Sequence, residues 1–355
     1  MDTKEFKNAV ALLVKEKGIS EKVIFETLEL ALTSAYKKNY QSLPNVKVII
    51  DGDKGSVKVF SYMTVVEEVI DERIELTLEQ AKKLVEGIMV GETIDTEVTP
   101  KDFGRVAAAT AKQVIIQKIK EAERNNIIEE FGDKQDEMVS GLVAMEDVRN
   151  YYVDLGKTQG ILPKTETIPG ETIKMGANIK VYITKVENNS KGPIILLSRN
   201  HYGFVKRLFE LEIPEINEGI ILVYSVARDA GNRTKIAVYS EIENVDAIGA
   251  CIGEKGSRIN NIIKELNGEK VDIIEYDSNI VKFIQNALSP AKNVNVYILD
   301  EKKREALVIV DNDNLSLAIG KKGLNVRLAA RLTHHKIDVK TVEQAKEDGI
   351  NIILE

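Results

Sequence analysis

The sequence is poor in the residue types that build redox, metal and membrane sites. Its 355 residues include one Cys, three His and no Trp, and the aromatic residues make up only 5%. A single Cys excludes an internal disulfide and fits a reducing compartment, while scattered Cys and His residues disfavour a zinc site. No run approaches the roughly 18 apolar residues that a membrane-spanning helix needs. We therefore expect a cytoplasmic protein with no metal, no cofactor and no membrane contact.

Charge is spread evenly along the chain. The 49 Lys and Arg residues stand against 56 Asp and Glu residues, which gives a net charge of −7. Residues 1–130 carry a net −4, residues 131–200 are neutral, and residues 201–355 carry −3. Because no region is basic, binding of nucleic acid has to come from local sites and not from a global positive field.

The N-terminal region alternates helical and strand patterns. Apolar residues recur at helical spacing over residues 3–17 and 20–40, and Ser20 is a suitable cap for the second helix. Two strands, VKVIID and SVKVF, flank the turn DGDKG, and they are followed by a short helix, a strand and a long helix after Pro100. These patterns predict an α/β N-terminal domain.

Residues 134–199 contain five short β-like runs separated by turn signals, which predict a small barrel of the OB type. Tyr151, Tyr152, Asp154 and Arg199 are candidate RNA contacts in this barrel, and we select Tyr152 and Arg199. Strand alternation places the two tyrosines on opposite faces. One of them is therefore expected in the core, and the outward ring is free to stack on a base or to pack.

An internal repeat occupies the last part of the chain. The segment ACIGEKGSRINNIIKEL at 250–266 aligns with LAIGKKGLNVRLAARLT at 317–333 at a constant offset of 67 residues. The flanking patterns repeat as well, so that each copy has the order α–β–β–α–α–β. A repeat of this length predicts two domains of the same fold.

Each repeat contains a GxxG loop between two helices. Backbone N–H groups at the start of the second helix favour an anion, and glycines let a phosphate backbone approach closely. This is the logic of a KH domain, whose GxxG loop holds about four nucleotides of RNA. The alternative is that the glycines only shape a tight turn between helices. The similar motif Gly52–Gly55 lies between strands and is predicted to be a hairpin turn.

The two loops differ in charge, because GKKG carries two lysines whereas GEKG carries one lysine and one glutamate. The second copy is therefore expected to hold phosphate more strongly, and bases are expected to lie in an aliphatic groove with little stacking. The residues predicted to bind RNA in the two copies are Gly253, Glu254, Lys255, Gly256, Ser257, Arg258, Gly320, Lys321, Lys322, Gly323, Asn325 and Arg327.

Long strings of the chain resemble the NusA family of bacterial transcription elongation, termination and antitermination factors. They include VTPKDFGRVAAATAKQVIIQKIKEAER, VDLGKTQGILP, GPIILLSR, VARDAGNRTKIAVYS, IGACIGEKGSRI and LAIGKKGLNVRLAARLT, in the order of the family. Two departures are Ala247, where the family usually has Pro, and LTHHKID, which replaces a more usual LTGWKID.

The resemblance implies a multidomain α+β chain. Residues 1–130 would form an N-terminal domain that binds RNA polymerase, and residues 131–200 an S1-type OB barrel. Residues 201–277 and 278–355 would form two tandem KH domains of the bacterial type. The junctions between these modules lack Gly, Ser and Pro tracts, so residues 134–355 are expected to act as one body.

The predicted function is that of a non-catalytic, RNA-binding regulator. The family implies binding to core RNA polymerase and nascent single-stranded RNA, with effects on pausing, intrinsic termination and antitermination. Other antitermination factors are expected partners, and a monomer is expected. The alternative is an accessory RNA-binding module of an RNA-degrading or ribosome-associated assembly. No carboxylate pair, Ser/His/Asp set or Cys/His set indicates an enzyme, and residues 1–130 are too short for a phosphorolytic core.

Overall fold

The computed structural model describes residues 11, 14, 15, 20–40, 44–51, 56–189 and 192–348. The chain divides between Ile127 and Ile128 into two compact units. The predicted helix over residues 3–17 lies largely outside the described residues, and the predicted turn at Gly52–Gly55 lies wholly outside them.

From residue 20 onward, the helices and strands of the first unit follow the predicted order, with one additional short strand, Glu75–Thr77, before the short helix. In chain order they are α1 Glu21–Tyr40, β1 Val46–Asp51, β2 Ser56–Val66, β3 Glu75–Thr77, α2 Leu78–Lys82, β4 Thr93–Glu97 and α3 Phe103–Gly132, whose last residues belong to the second unit.

The sheet of the first unit is centred on β2, which pairs antiparallel with β1 and β4 and parallel with β3. The helical spacing of α1 places Leu28 and Leu32 in the core, where both are fully buried. At the start of α3, the ring of Phe103 meets Tyr36 edge to face at 5.4 Å between centroids. Ser20 accepts a hydrogen bond from the Val23 amide at 3.4 Å, as expected for a cap.

The second unit contains the barrel and both repeats. The barrel strands are β5 Met138–Glu146, β6 Asn150–Asp154, β7 Gln159–Pro163, β8 Asn178–Asn189 and β9 Gly192–Ser198. The first repeat has α4 Tyr202–Glu212, α5 Pro214–Asn217, β10 Leu222–Asp229, β11 Arg233–Tyr239, α6 Ala247–Ile252, α7 Ser257–Glu265 and β12 Lys270–Glu275. The second repeat has α8 Ile280–Ala287, β13 Asn295–Asp300, β14 Glu305–Ile309, α9 Asn312–Ile319, α10 Leu324–Thr333 and β15 Lys336–Lys340, and α11 Val342–Glu347 follows.

The five barrel strands close in the order β5-β6-β7-β9-β8. Alternate residues point inward, so that Val153, Leu162, Val181 and Ile183 are fully buried. The predicted five-stranded barrel is therefore confirmed.

Both repeats have the same sheet. In each, the first strand pairs antiparallel with the second, which pairs parallel with the third. The predicted order α–β–β–α–α–β is confirmed, with one additional short helix after α4 in the first copy and one after β15 in the second.

The sheet of the first copy is covered by helices on both faces. On β11, Ile236 and Val238 belong to the core beneath the helices of their own copy. Ala237, which points the opposite way, belongs to a core shared with Phe283 and Leu332 of the second copy. The two copies thus share one apolar core, as the expectation of a single body requires.

A buried ion pair within the first copy supports the end of the barrel. Arg228 and Glu269 have exposed side-chain fractions of 2% and 0%, and their atoms Nη2 and Oε2 are 2.9 Å apart. Arg228 Nη1 also donates to the carbonyl oxygens of Arg199 at 2.7 Å and His201 at 3.0 Å. Glu269 accepts further hydrogen bonds from the Gly231 amide and the Thr234 hydroxyl.

The C-terminal ends of α7 and α10 have the same cap. Asn267 and His334 stand at equivalent positions with φ values of 57° and 56°, in the left-handed region. The amides that follow them bond Ile263 O and Ala330 O at 2.9 and 3.1 Å. Among residues with a side chain, asparagine tolerates this region best, and histidine, although enriched there, retains more strain than asparagine or glycine.

His334→Gly is therefore expected to stabilise the chain by about 1 kcal/mol, because glycine adopts positive φ without strain. In a thermal melt this corresponds to a rise in Tm of roughly 2–4 °C. The matched variant Asn267→Gly is expected to change Tm much less. Equal shifts for the two variants would show that strain at His334 is not the cause.

Candidate nucleic-acid interface

The two GxxG loops have the same backbone geometry. Gly253 and Gly320, which end α6 and α9, have φ/ψ values of 74°/172° and 74°/171°. A short 3₁₀ turn follows in each loop, and Lys255 and Lys322 adopt φ values of 51° and 54°. Each loop then enters the next helix through a left-handed glycine. The repeat found in the sequence is therefore a repeat of loop conformation.

The first glycine of each loop is required by space as well as by φ. A Cβ on Gly253 would lie 2.7 Å from Arg258 Cγ. A Cβ on Gly320 would lie 2.8 Å from the backbone nitrogen of Asn325. No side chain caps the first turn of α7 or α10. Each helix therefore presents free backbone N–H groups next to glycines that have no side chain to block a ligand. A phosphate is favoured at such a position.

The loop lysines are exposed. Lys255, Lys321 and Lys322 make no ion pair within the described part of the chain. Glu254 is exposed in the first loop, so its carboxylate offsets the charge of Lys255. The second loop therefore carries a net charge of two positive units, whereas the single positive charge of the first loop is balanced by Glu254.

The residues that follow the loops have structural roles. Asn325 has an exposed fraction of 1%, and its Nδ2 donates to Leu288 O, Leu317 O and Ala318 O at 3.0–3.1 Å. The structure does not support a contact of the Asn325 side chain with RNA, because the side chain is buried and its amide closes the end of α9. The equivalent Arg258 donates to Ala250 O at 2.7 Å and pairs with Glu215 at 2.8 Å. Ser257 is exposed at the start of α7.

Arg327 is exposed on the helix after the second loop and pairs with a carboxylate of the first copy. Its Nη2 lies 2.7 Å from Asp229 Oδ2 at the end of β10. The Arg327 side chain remains 48% exposed, so the pair is at the surface and contributes little to stability. Arg327 therefore stays available to a phosphate that displaces Asp229.

Arg199 is not exposed at the surface, so the structure does not support the predicted contact of its side chain with RNA. Its side chain is 3% exposed and pairs with Glu171 at 2.5 Å and Glu265 at 3.1 Å. The guanidinium also stacks over the Phe204 ring at 4.9 Å. Arg199 ties the end of β9 to the first repeat, and its cation is neutralised there.

The two barrel tyrosines do not divide into core and surface. Both are partly exposed, and the neighbouring Val153 fills the core instead. The Tyr152 hydroxyl donates to Asp147 Oδ2 at 2.8 Å, and this hydrogen bond raises the pKa of Tyr152. The pKa of Asp147 falls to about 2 because it accepts from the Arg149 amide and from Tyr152. Tyr151 lies under the Lys164 ammonium at 5.2 Å.

An aromatic cluster was missed by the sequence analysis. Tyr224, Tyr239, Tyr276 and Phe283 come together at the junction of the two repeats, with centroid distances of 3.9–5.6 Å. The four residues are spread over 60 positions of the chain, so no local pattern brings them together. The expectation of little stacking was based on the neighbourhood of the loops alone.

The described residues contain neither a metal-binding cluster nor a membrane-spanning helix. No group of three or more His, Cys, Asp or Glu side chains there has the geometry to hold a metal ion. None of the described helices has the length and apolar content to cross a membrane. The single Cys251 is fully buried, and burial raises the pKa of its thiol to about 12.

Known families match three parts of the chain. Residues 5–125 match the NusA N-terminal domain, residues 199–276 the NusA-like first KH domain, and residues 280–347 the NusA-like second KH domain.

Three relatives match nearly the whole chain. The transcription termination/antitermination protein NusA of Halalkalibacterium halodurans is 49% identical over 98% of this chain and 90% of its own length. The protein of the same name from Bacillus subtilis is 49% identical over 98% of this chain and 93% of its own length. The protein of the same name from Thermus thermophilus is 40% identical over 96% of this chain and 90% of its own length.

Proposed function

This chain belongs to the NusA family of transcription termination/antitermination proteins, and we propose that it holds nascent single-stranded RNA at Gly320–Gly323 while residues 1–130 bind core RNA polymerase. The observation that carries this proposal is the second loop, where two unpaired lysines project from a glycine turn at a helix N-terminus. The first loop, Gly253–Gly256, has the same backbone and contributes a weaker contact. The test is an RNA titration of a variant in which Lys321 and Lys322 are replaced by aspartate.

The proposal assigns a role to each region. Residues 131–200 form an S1-type barrel, and residues 201–277 and 278–355 form the two KH domains. The relatives named above are transcription termination/antitermination proteins, and the role proposed for this chain is likewise regulatory and non-catalytic. The chain acts as a monomer in the cytoplasm, where further antitermination factors join it on the polymerase.

The surface of the first unit supports a protein partner. Five apolar side chains between residues 70 and 90 are exposed, namely Ile70, Leu84, Val85, Met89 and Val90, with exposed fractions of 45–92%. Exposed apolar side chains at this density are typical of an interaction site. The net charge of −4 over residues 1–130 repels RNA and suits a basic protein surface.

Leu84→Asp with Met89→Asp is expected to weaken binding to core polymerase by at least roughly tenfold, because two charges would have to be desolvated at the interface. Removal of residues 1–130 is expected to abolish binding. A pull-down with core polymerase measures both effects. Leu30→Asp, at a side chain that is 71% exposed on α1, is the matched control. Full binding by the chain without residues 1–130 would contradict the assignment.

A further inference from the structure

The aromatic cluster at the junction of the two KH copies presents one ring to solvent. Among the aromatic side chains in the described ranges, only Tyr202 and Tyr224 are exposed, with exposed fractions of 54% and 46%. Tyr224 lies at a bulge between Val223 and Ser225, where the register of β10 and β11 shifts. A bulge re-aims a side chain, and here it turns Tyr224 to the face of the sheet on which the second copy packs.

The Tyr224 ring is held in one orientation. It stacks on Tyr276 with a centroid distance of 3.9 Å and an interplanar angle of 18°. Phe283 of the second copy meets both rings nearly at right angles, at 5.6 Å and 5.1 Å. A stacked partner therefore lies on one side of Tyr224, and the 46% exposure leaves the ring accessible on the other. Such a ring loses little conformational entropy when a planar ligand stacks on it.

Two cationic side chains lie on the elements of the second copy that pack beside Tyr224 and Ser225. Ser225, next to Tyr224, donates from its hydroxyl to Leu332 O at 2.8 Å, which brings the end of α10 alongside. Arg331 in that last turn is exposed. Lys282 precedes Phe283, and its side chain is 65% exposed at 4.0 Å from Asp277 Oδ2, a weak surface pair that a phosphate can replace. Cations beside an exposed aromatic ring are the pattern by which proteins hold the backbone and bases of a single strand.

We propose that Tyr224 is a stacking platform for a base of single-stranded RNA, outside the two GxxG loops. This inference rests on the proposed RNA binding and adds a contact to it. The RNA base would extend the existing stack of Tyr224 on Tyr276. Stacking is tolerant of sequence, because every base has a π-face.

The test is an anisotropy titration of the full chain with an unstructured RNA of mixed sequence, about 20 nucleotides long, so that it spans several four-nucleotide contacts. Tyr224→Ala and Tyr224→Leu are each expected to weaken binding about tenfold, whereas Tyr224→Phe stays within about twofold. The slope of affinity against salt is expected not to change, because a stacked base releases no counterions. Tyr202→Ala, at the other exposed tyrosine, is the matched control and is expected to bind like the native chain.

The leucine variant preserves apolar packing against Tyr276, so it decides the outcome should the alanine variant fail to fold by circular dichroism. In a second measurement, an abasic nucleotide is placed at each position of the RNA in turn. At one position it is expected to weaken binding to the native chain. At that position it is expected not to weaken binding to the Tyr224→Leu variant any further. Folded variants that bind as tightly as the native chain would overturn the proposal. So would unchanged RNA affinity together with weaker polymerase binding, which would assign the ring to a protein partner. If changing Lys321 and Lys322 abolishes RNA binding but the Tyr224 variants bind normally, the stacking proposal is overturned. The proposed RNA binding at Gly320–Gly323 would then stand.

Discussion

Lys321→Asp combined with Lys322→Asp is expected to weaken binding of single-stranded RNA by roughly 100-fold at low salt. The two carboxylates would face the phosphate at the N-terminus of α10, where the native chain presents two unpaired ammonium groups. Loss of two phosphate contacts is also expected to flatten the slope of log affinity against log salt by about 1.4, at about 0.7 per contact. An anisotropy titration at several salt concentrations measures both quantities.

Folding is expected to survive this double change. Both lysines are exposed, and aspartate tolerates the left-handed conformation of Lys322, whose φ is 54°. Circular dichroism and retained polymerase binding are the controls.

The first loop supplies a matched comparison on the same backbone. Aspartate at both Glu254 and Lys255 is expected to have a smaller effect, because that loop already holds one acid. Glu254→Lys is expected to strengthen binding and to steepen the salt slope. A folded variant with aspartate at Lys321 and Lys322, but with native affinity and slope, would mean that the second loop is only a turn.

Glu269→Gln is expected to lower the free energy of unfolding of residues 128–355 by about 3–5 kcal/mol. The carboxylate is fully buried and is the only acid paired with Arg228 among the ion pairs of the described residues. Its replacement leaves a buried guanidinium without a counter-charge at the junction of the barrel and the first KH copy. Urea denaturation measures the loss, and hydrogen exchange locates it in the second unit.

An exposed pair is the control for this change. Glu305 lies 3.2 Å from Lys336, whose side chain is 77% exposed, and Glu305→Gln is expected to cost less than about 1 kcal/mol. Arg228→Met combined with Glu269→Met is expected to cost less than the sum of the single changes, because no unpaired charge remains. A loss at Glu269→Gln no larger than that at Glu305→Gln would show that the pair does not hold the junction.

Much of the fold follows from local pattern. The barrel strands and the α–β–β–α–α–β order are encoded in alternation, helical spacing and turn residues. The function at the level of the family also follows from the sequence, because its motifs are long and stand in order. These features need only neighbours within a few residues, which a sequence displays directly.

The errors arose where partners are distant along the chain. Arg199 looked like an exposed cation, but Glu171 and Glu265 neutralise it from two other elements. Asn325 follows a basic loop, yet its side-chain amide donates hydrogen bonds to the carbonyl oxygen of Leu288 and to one at the end of α9. Tyr151 and Tyr152 were assigned by strand alternation, but the register of β5 against β6 shifts beside them at Val143/Met145. Tertiary contacts of this kind leave no periodic signal.

The core shared by the two KH copies has a consequence for how the chain is made. A ribosome adds roughly 5–20 residues each second, so the second copy emerges several seconds after the first. Until then Ala227, Ala237 and Ile274, which are nearly or fully buried in the finished protein, have no partner helices. Nascent chains that stall after residue 277 would expose this apolar face to chaperones and to aggregation. For the same reason, a fragment that ends after the first copy is expected to aggregate, because this apolar face would remain exposed to water.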